Sequence, residues 1–113
     1  MSLFSAIFGT KTTQNDSIKV LSPTEFRAQV ENKKVQLVDV RTQREFNFGH
    51  IKGAKNIDFY SGLFNVEFDK LNKEKAVYVY CRSGMRSRQT SKKLVALGFT
   101  EIYDLKGGIL NYK

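Results

Sequence analysis

The residues of this chain best suited to chemistry lie together in VYCRSGMRS, residues 79–87. The stretch holds the only cysteine, Cys81, with Arg82 and Arg86, and has no histidine, aspartate or glutamate. A thiol acts as a nucleophile through its thiolate, and no base stands beside this one. The turn itself must then supply the electrostatics. If Arg82, Ser83, Gly84 and Met85 form a turn that enters a helix at about Arg86–Ser87, several backbone N–H groups of residues 82–87 point inward at the helix's positive end. Arg82 and Arg86 add full charges. Such a ring stabilises a thiolate and binds an anion directly above the sulfur. The plain alternative is a small buried cysteine that ends a strand. The arginines and the glycine around Cys81 argue against an inert core thiol.

Placing that loop requires strands and helices in alternation, and the sequence reads that way. IKVL (18–21) is a short strand running into SPTEF, where Ser22 is an N-cap, Pro23 takes the first helical position and Glu25 closes a capping box. That helix turns Phe26 and Val30 inward and ends around ENKK. VQLVDV (35–40) is an apolar, β-rich run and so a buried strand. TQREFNF is a short helix stopped by Gly49, and AKNID (54–58) a brief strand. GLFNVEFDKL, with Leu63, Phe64, Val66, Phe68 and Leu71, reads as a helix. AVYVY (76–80) is a second central strand. Arg86 to Leu97 is a helix stopped by Gly98, EIYDL (101–105) a last strand, and Gly107-Gly108 turn the chain into a short terminal helix. Alternation on short loops implies an α/β fold, a mainly parallel sheet covered on both faces. Function in such sheets sits beyond the carboxyl ends of the strands, where Cys81 follows AVYVY.

With 113 residues, 27% charged and 41% hydrophobic, the chain suits one globular domain. The expected organisation is an N-terminal arm and linker over 1–16 and one domain over 17–113. The arm has an apolar stretch, Leu3 to Phe8, then a polar linker, Thr10–Asp16. It lacks the positive leader and small-residue cleavage site of a secretory signal, and surface association is its alternative role. One cysteine forms no internal disulfide, and one cysteine with one histidine is too few for a zinc cage. No metal and no cofactor is expected. The lone thiol fits a reducing, cytoplasmic setting, and no run is long enough to span a membrane. The net charge of +8 is spread over scattered lysines rather than a stripe, which favours a solvated surface over nucleic-acid binding. The excess still concentrates a small anion. Monomer is the default state.

Three motifs carry a family resemblance. LVDVRTQREFNFGHIKGAKNI (37–57) resembles the signature of the rhodanese superfamily, with its D-V-R, E-F and G-H-I-x-G-A-x-N-I. VYCRSGMRS is similar to that family's active loop, a cysteine separated by four residues from an arginine and Ser/Thr. SKKLVALGF and DLKGGI resemble the following helix and the final strand and turn. The match spans about 18–112, in order and in spacing. The resemblance implies the rhodanese-like three-layer fold, a five-stranded parallel sheet with helices on both faces. It also implies a sulfur-transfer cycle. Cys81 attacks the outer sulfur of a small anionic donor such as thiosulfate, sulfite leaves, and a small or protein thiol takes the sulfur from the Cys81 persulfide. The N–H groups of residues 82–86 would then hold the terminal sulfur, and Arg82 and Arg86 attract the anion.

A thiol phosphatase or arsenate reductase is the alternative chemistry, but those enzymes put five residues between cysteine and arginine. Here Arg82, Ser83, Gly84 and Met85 make four. A rhodanese-like module that only binds is a third class. Asp39, Arg41 and Glu45 read as structural. Arg41 and Glu45 are four apart and so spaced to pair, with Asp39 instead free to accept from the loop backbone. His50 reads as a loop-fixing hydrogen-bonder. Ser87, Thr90 and Ser91 give their helix a small face for close approach to the sheet, with Leu94 and Leu97 as core, and Ser87 also suits orienting the loop or capping the helix. Where many family members have tryptophan after the double glycine, this chain has Tyr112 and stops at Lys113, so the last helix is expected to fray.

Overall fold

The computed structural model describes residues 16–112; the expectations for the apolar arm over 1–15 and for Lys113 lie outside them. The elements are β1 (Ile18–Leu21), α1 (Pro23–Val30), β2 (Gln36–Asp39), α2 (Gln43–Asn47), β3 (Lys55–Asn56), α3 (Phe64–Asp69), β4 (Val77–Tyr80), α4 (Met85–Ala96) and β5 (Ile102–Leu105). A 3-10 turn over Ile109–Asn111 follows. The five strands form one sheet in the order β1-β5-β4-β2-β3, every pairing parallel.

Alternation along β4 sorts the core into two layers. Val77, Val79 and, just beyond the strand, Cys81 face one side with Phe64 and Phe68 of α3 and Leu94 of α4. Tyr78 and Tyr80 face the other with Phe26 and Val30 of α1. The period of two in a strand makes that split, and both halves are apolar because helices cover both faces. Local signals set the helix starts. Ser22 Oγ accepts from Glu25 N at 3.2 Å while Glu25 Oε1 accepts from Ser22 N at 2.9 Å. Thr42 and Glu45 build a second, equivalent box at the head of α2. Ser87, Thr90 and Ser91 are all buried at the contact of α4 with the sheet, and short side chains there let the helix lie close. No helix among the described residues is long and apolar enough to cross a membrane.

Candidate active site

At the carboxyl end of β4, Cys81 begins a tight loop whose other end is the first turn of α4. Gly84 makes the reversal possible with φ +110, a conformation that side chains resist. The loop closes on the sulfur. Gly84 N donates to Cys81 Sγ at 3.1 Å and Ser87 N at 3.3 Å, and Ser87 Oγ lies 3.6 Å away. Among the described residues the N–H groups of Arg82, Ser83, Met85 and Arg86 have no hydrogen-bond acceptor. Cys81 is 1% exposed, so the sulfur is the floor of a ring of backbone donors.

The side chains sort differently. Arg82, Ser83 and Met85 are exposed on the rim. Arg86 turns away from solvent into a two-pronged ion pair with Glu45, Nη1 to Oε1 at 2.8 Å and Nη2 to Oε2 at 3.1 Å. Hydrogen bonding from Arg86 is the main reason that the Glu45 carboxyl is pulled down to about 2, and Glu45 in turn raises Arg86. This corrects the expected partner of Glu45. Arg41 precedes Thr42, the N-cap of α2, so the helical i, i+4 geometry does not extend to it. Arg41 instead binds Asp39, with Nη2 to Oδ2 at 2.6 Å and Nε to Oδ1 at 3.0 Å, and also donates to Gly49 O at 2.7 Å. The Asp39 carboxylate is thereby occupied and accepts nothing from residues 82–87; its one backbone donor among the described residues is Arg41 N at 2.9 Å. His50 Nδ1 lies 2.9 Å from Phe46 O, and its ring stacks on Phe46. Thus Cys81, Gly84, Ser87, Arg86 and Glu45 come together, while Asp39, Arg41 and His50 fasten the β2–β3 crossover beside them.

The sequence reading missed the support beneath the loop. Gly108 packs against it so closely that a Cβ there would overlap the Arg82 carbonyl and sit 2.6 Å from Ser83 N. The next two residues donate to the loop's carbonyls, Ile109 N to Cys81 O at 2.9 Å and Leu110 N to Arg82 O at 3.2 Å. The signal was present: two consecutive glycines just past a parallel strand, at the end of the sheet where sites form. An open cleft of about 710 Å³ lined by Lys33, Lys34, Gln36, Lys75 and Tyr78 lies at the opposite, amino end of β2 and β4, away from Cys81.

Residues 22–113 match the family described as Rhodanese-like domain, and the chain belongs to that family. It is 41% identical over 95 residues to YqhL, an uncharacterized protein of Bacillus subtilis (strain 168), which covers 84% of this chain and 72% of that one. It is 37% identical over 100 residues to the tRNA uridine(34) hydroxylase of Staphylococcus carnosus (strain TM300), covering 83% of this chain but 31% of the hydroxylase. The chain thus spans about a third of that relative's length. Among solved structures, a rhodanese-like domain protein from Staphylococcus aureus superposes with a TM-score of 0.74 at 30% identity, over 84% of this chain and 91% of that one. A rhodanese-related protein from Thermoplasma volcanium gives 0.72 at 26% identity, over 83% and 89%.

Proposed function

We propose that the protein is a sulfurtransferase that carries sulfane sulfur as a Cys81 persulfide. The observation that supports this most directly is the pair of backbone N–H groups on Cys81 Sγ, with four further N–H groups of the loop without acceptors among the described residues. The Cys81 thiolate attacks the outer sulfur of thiosulfate or of a persulfide donor. A new S–S bond forms, the donor's S–S bond breaks, and its electron pair leaves with sulfite or a thiolate. The leaving group is a stable anion, so no general acid is needed. The extra sulfur then sits where several N–H groups converge, and an acceptor thiol, or cyanide in an assay, removes it. Arg82, exposed on the rim and without a side-chain partner among the described residues, draws in the anion. Arg86 holds the loop's shape through Glu45. We assign no cofactor, a small anionic donor, a thiol acceptor and a reducing, cytoplasmic setting.

The test is covalent. Thiosulfate should add one sulfur atom to the protein, located at Cys81 by peptide mass analysis, and cyanide should release it as thiocyanate in a separate half-reaction. Cys81→Ser should take up none. If no sulfur reaches Cys81 from thiosulfate or from any persulfidated thiol, the proposal fails. Cys81-dependent release of phosphate from aryl phosphates at a comparable rate would replace it with the phosphatase reading. The hydroxylase named among the relatives supports a second reading, a part in tRNA oxidation. Cys81-dependent hydroxylation of tRNA without sulfur uptake would establish it instead.

A further inference from the structure

Sulfur transfer needs Cys81 as a thiolate, yet residues 82–87 contain no carboxylate or imidazole. The oxygen placed to receive the thiol proton is Ser87 Oγ, 3.6 Å from Sγ, within reach for a sulfur donor. Ser87 also neighbours Asp104 of β5, and its hydroxyl favours the ionised form of that carboxyl. Asp104 is 2% exposed, and its Oδ1 has no hydrogen-bond partner among the described residues. A buried carboxyl with an unfilled acceptor is costly, and no ion pair among the described residues offsets it. From α4, Ser87 and the charge of Arg88 act on it. The flanking strands set Val79 and Val20 beside it, neither of them titratable. The Ser87 hydroxyl donates to Gly84 O over a long 3.3 Å, and a relay to Asp104 requires it to turn away from that carbonyl.

We propose that Asp104 is the proton acceptor for Cys81, acting through the Ser87 hydroxyl. The Sγ–H bond breaks as its proton passes to Ser87 Oγ, and the Ser87 proton passes to the Asp104 carboxylate. The electron pair of the broken bond stays on sulfur, and nothing is oxidised or reduced. Negative charge moves from a carboxylate with an empty acceptor to a sulfur that two N–H groups hold. Asp104 is a positioning residue, since it reaches the sulfur only through Ser87. Burial pushes its carboxyl up to about 6, which suits proton exchange near neutral pH. The inference takes its purpose from the sulfur-transfer reading, but its proton linkage is measurable without a sulfur donor.

The experiment follows the ultraviolet absorbance of the thiolate against pH in the full chain, alongside the rate of sulfur uptake from thiosulfate. Two groups sharing a proton give a titration broader than that of a single site. Asp104→Asn and Ser87→Ala should each return a single-site curve. Asp104→Asn should slow uptake by about a hundredfold near neutral pH and abolish the acid limb of its pH profile. Arg88→Gln, on the exposed side of α4, removes a charge that favours the carboxylate and should move that limb to higher pH. Titration and rate profiles of Asp104→Asn that superpose on wild type overturn the proposal. So does a uniform loss of rate with the pH shape unchanged, which a merely structural role would give. Should Asp104→Asn fail to fold, Arg88→Gln decides by whether the limb moves. A coupled titration in a protein that takes up no sulfur would keep the proton linkage and sink sulfur transfer.

Discussion

Glu45 ties three things at once: the N-cap of α2 through Thr42, the guanidinium of Arg86 and, through Arg86, the far end of the cysteine loop. Charge-assisted bonds of this kind are worth about 1.5–3 kcal/mol, and the fork of Arg86 fixes direction as well as distance. Glu45→Gln keeps the shape but loses one acceptor oxygen and the charge. Persulfide formation on Cys81 should then slow roughly ten- to a hundredfold, since misplacing a reacting group by about 1 Å costs that much. Arg86→Lys should not do better, because an ammonium cannot span both oxygens; wild-type uptake rates in either variant would show that the pair does not set the loop. The partnership itself was not legible in the sequence. Spacing shows only neighbours along one helix, and Arg86 is 41 residues from Glu45 in the chain. The donor-lined turn at Cys81 was legible because its own neighbours, two arginines and a glycine at a strand end, implied a tight turn into a helix with N–H groups facing the sulfur.

Among the elements, strands and helices were readable because caps and stops are local chemistry. The box of Ser22 and Glu25, the stop at Gly98 and the alternation of β4 each act within a few residues. The α4 start differs by a single residue, Met85 rather than Arg86, which is ordinary fraying of helix ends. The 3-10 turn after β5 was foreseen as a short helix, but not its purpose. Its contacts are with residues 81–83, and only the folded sheet brings those strand ends side by side. Gly108, at φ 69 and ψ −169, is in a backbone region closed to side chains, and any Cβ meets the loop backbone. Gly108→Ala should therefore cost more than about 2 kcal/mol in chemical denaturation and lower sulfur uptake with it. Gly62→Ala, with open space around it, is the control that should change neither. Equal behaviour of the two variants would mean that the turn does not brace the loop.

For the whole molecule, two of the displaced carboxyls, Asp104 and Glu45, pull acid stability in opposite directions. Asp104 is pushed by burial from 3.8 to about 6. As pH falls through that window the folded protein takes up a proton before the unfolded chain does, so stability rises. Asp104 burdens the fold at neutral pH by up to about 3 kcal/mol, the equivalent of roughly two units. Glu45 lies the other way, from 4.5 to about 2, chiefly through its bonds from Arg86. Its contribution is complete above 4.5 and drains away as pH drops towards 2. Denaturation midpoints measured from pH 7 to pH 3 should therefore climb, peak between about 4 and 5, and then fall. Asp104→Asn should be the more stable protein at pH 7 and lose that advantage by pH 4. A wild-type profile flat from 7 to 4 would contradict the displaced carboxyl.

The bonds from Ile109 and Leu110 to the carbonyls of Cys81 and Arg82 also bear on how the protein is made. Synthesis delivers the cysteine before its brace, with α4 and β5 between them. Until residues 108–110 have cleared the ribosome, the loop lacks the donors that fix its first two carbonyls. The order of translation thus leaves the loop unbraced while residues 108–110 are missing, and a product truncated before them would carry the cysteine without two of the bonds that shape its loop.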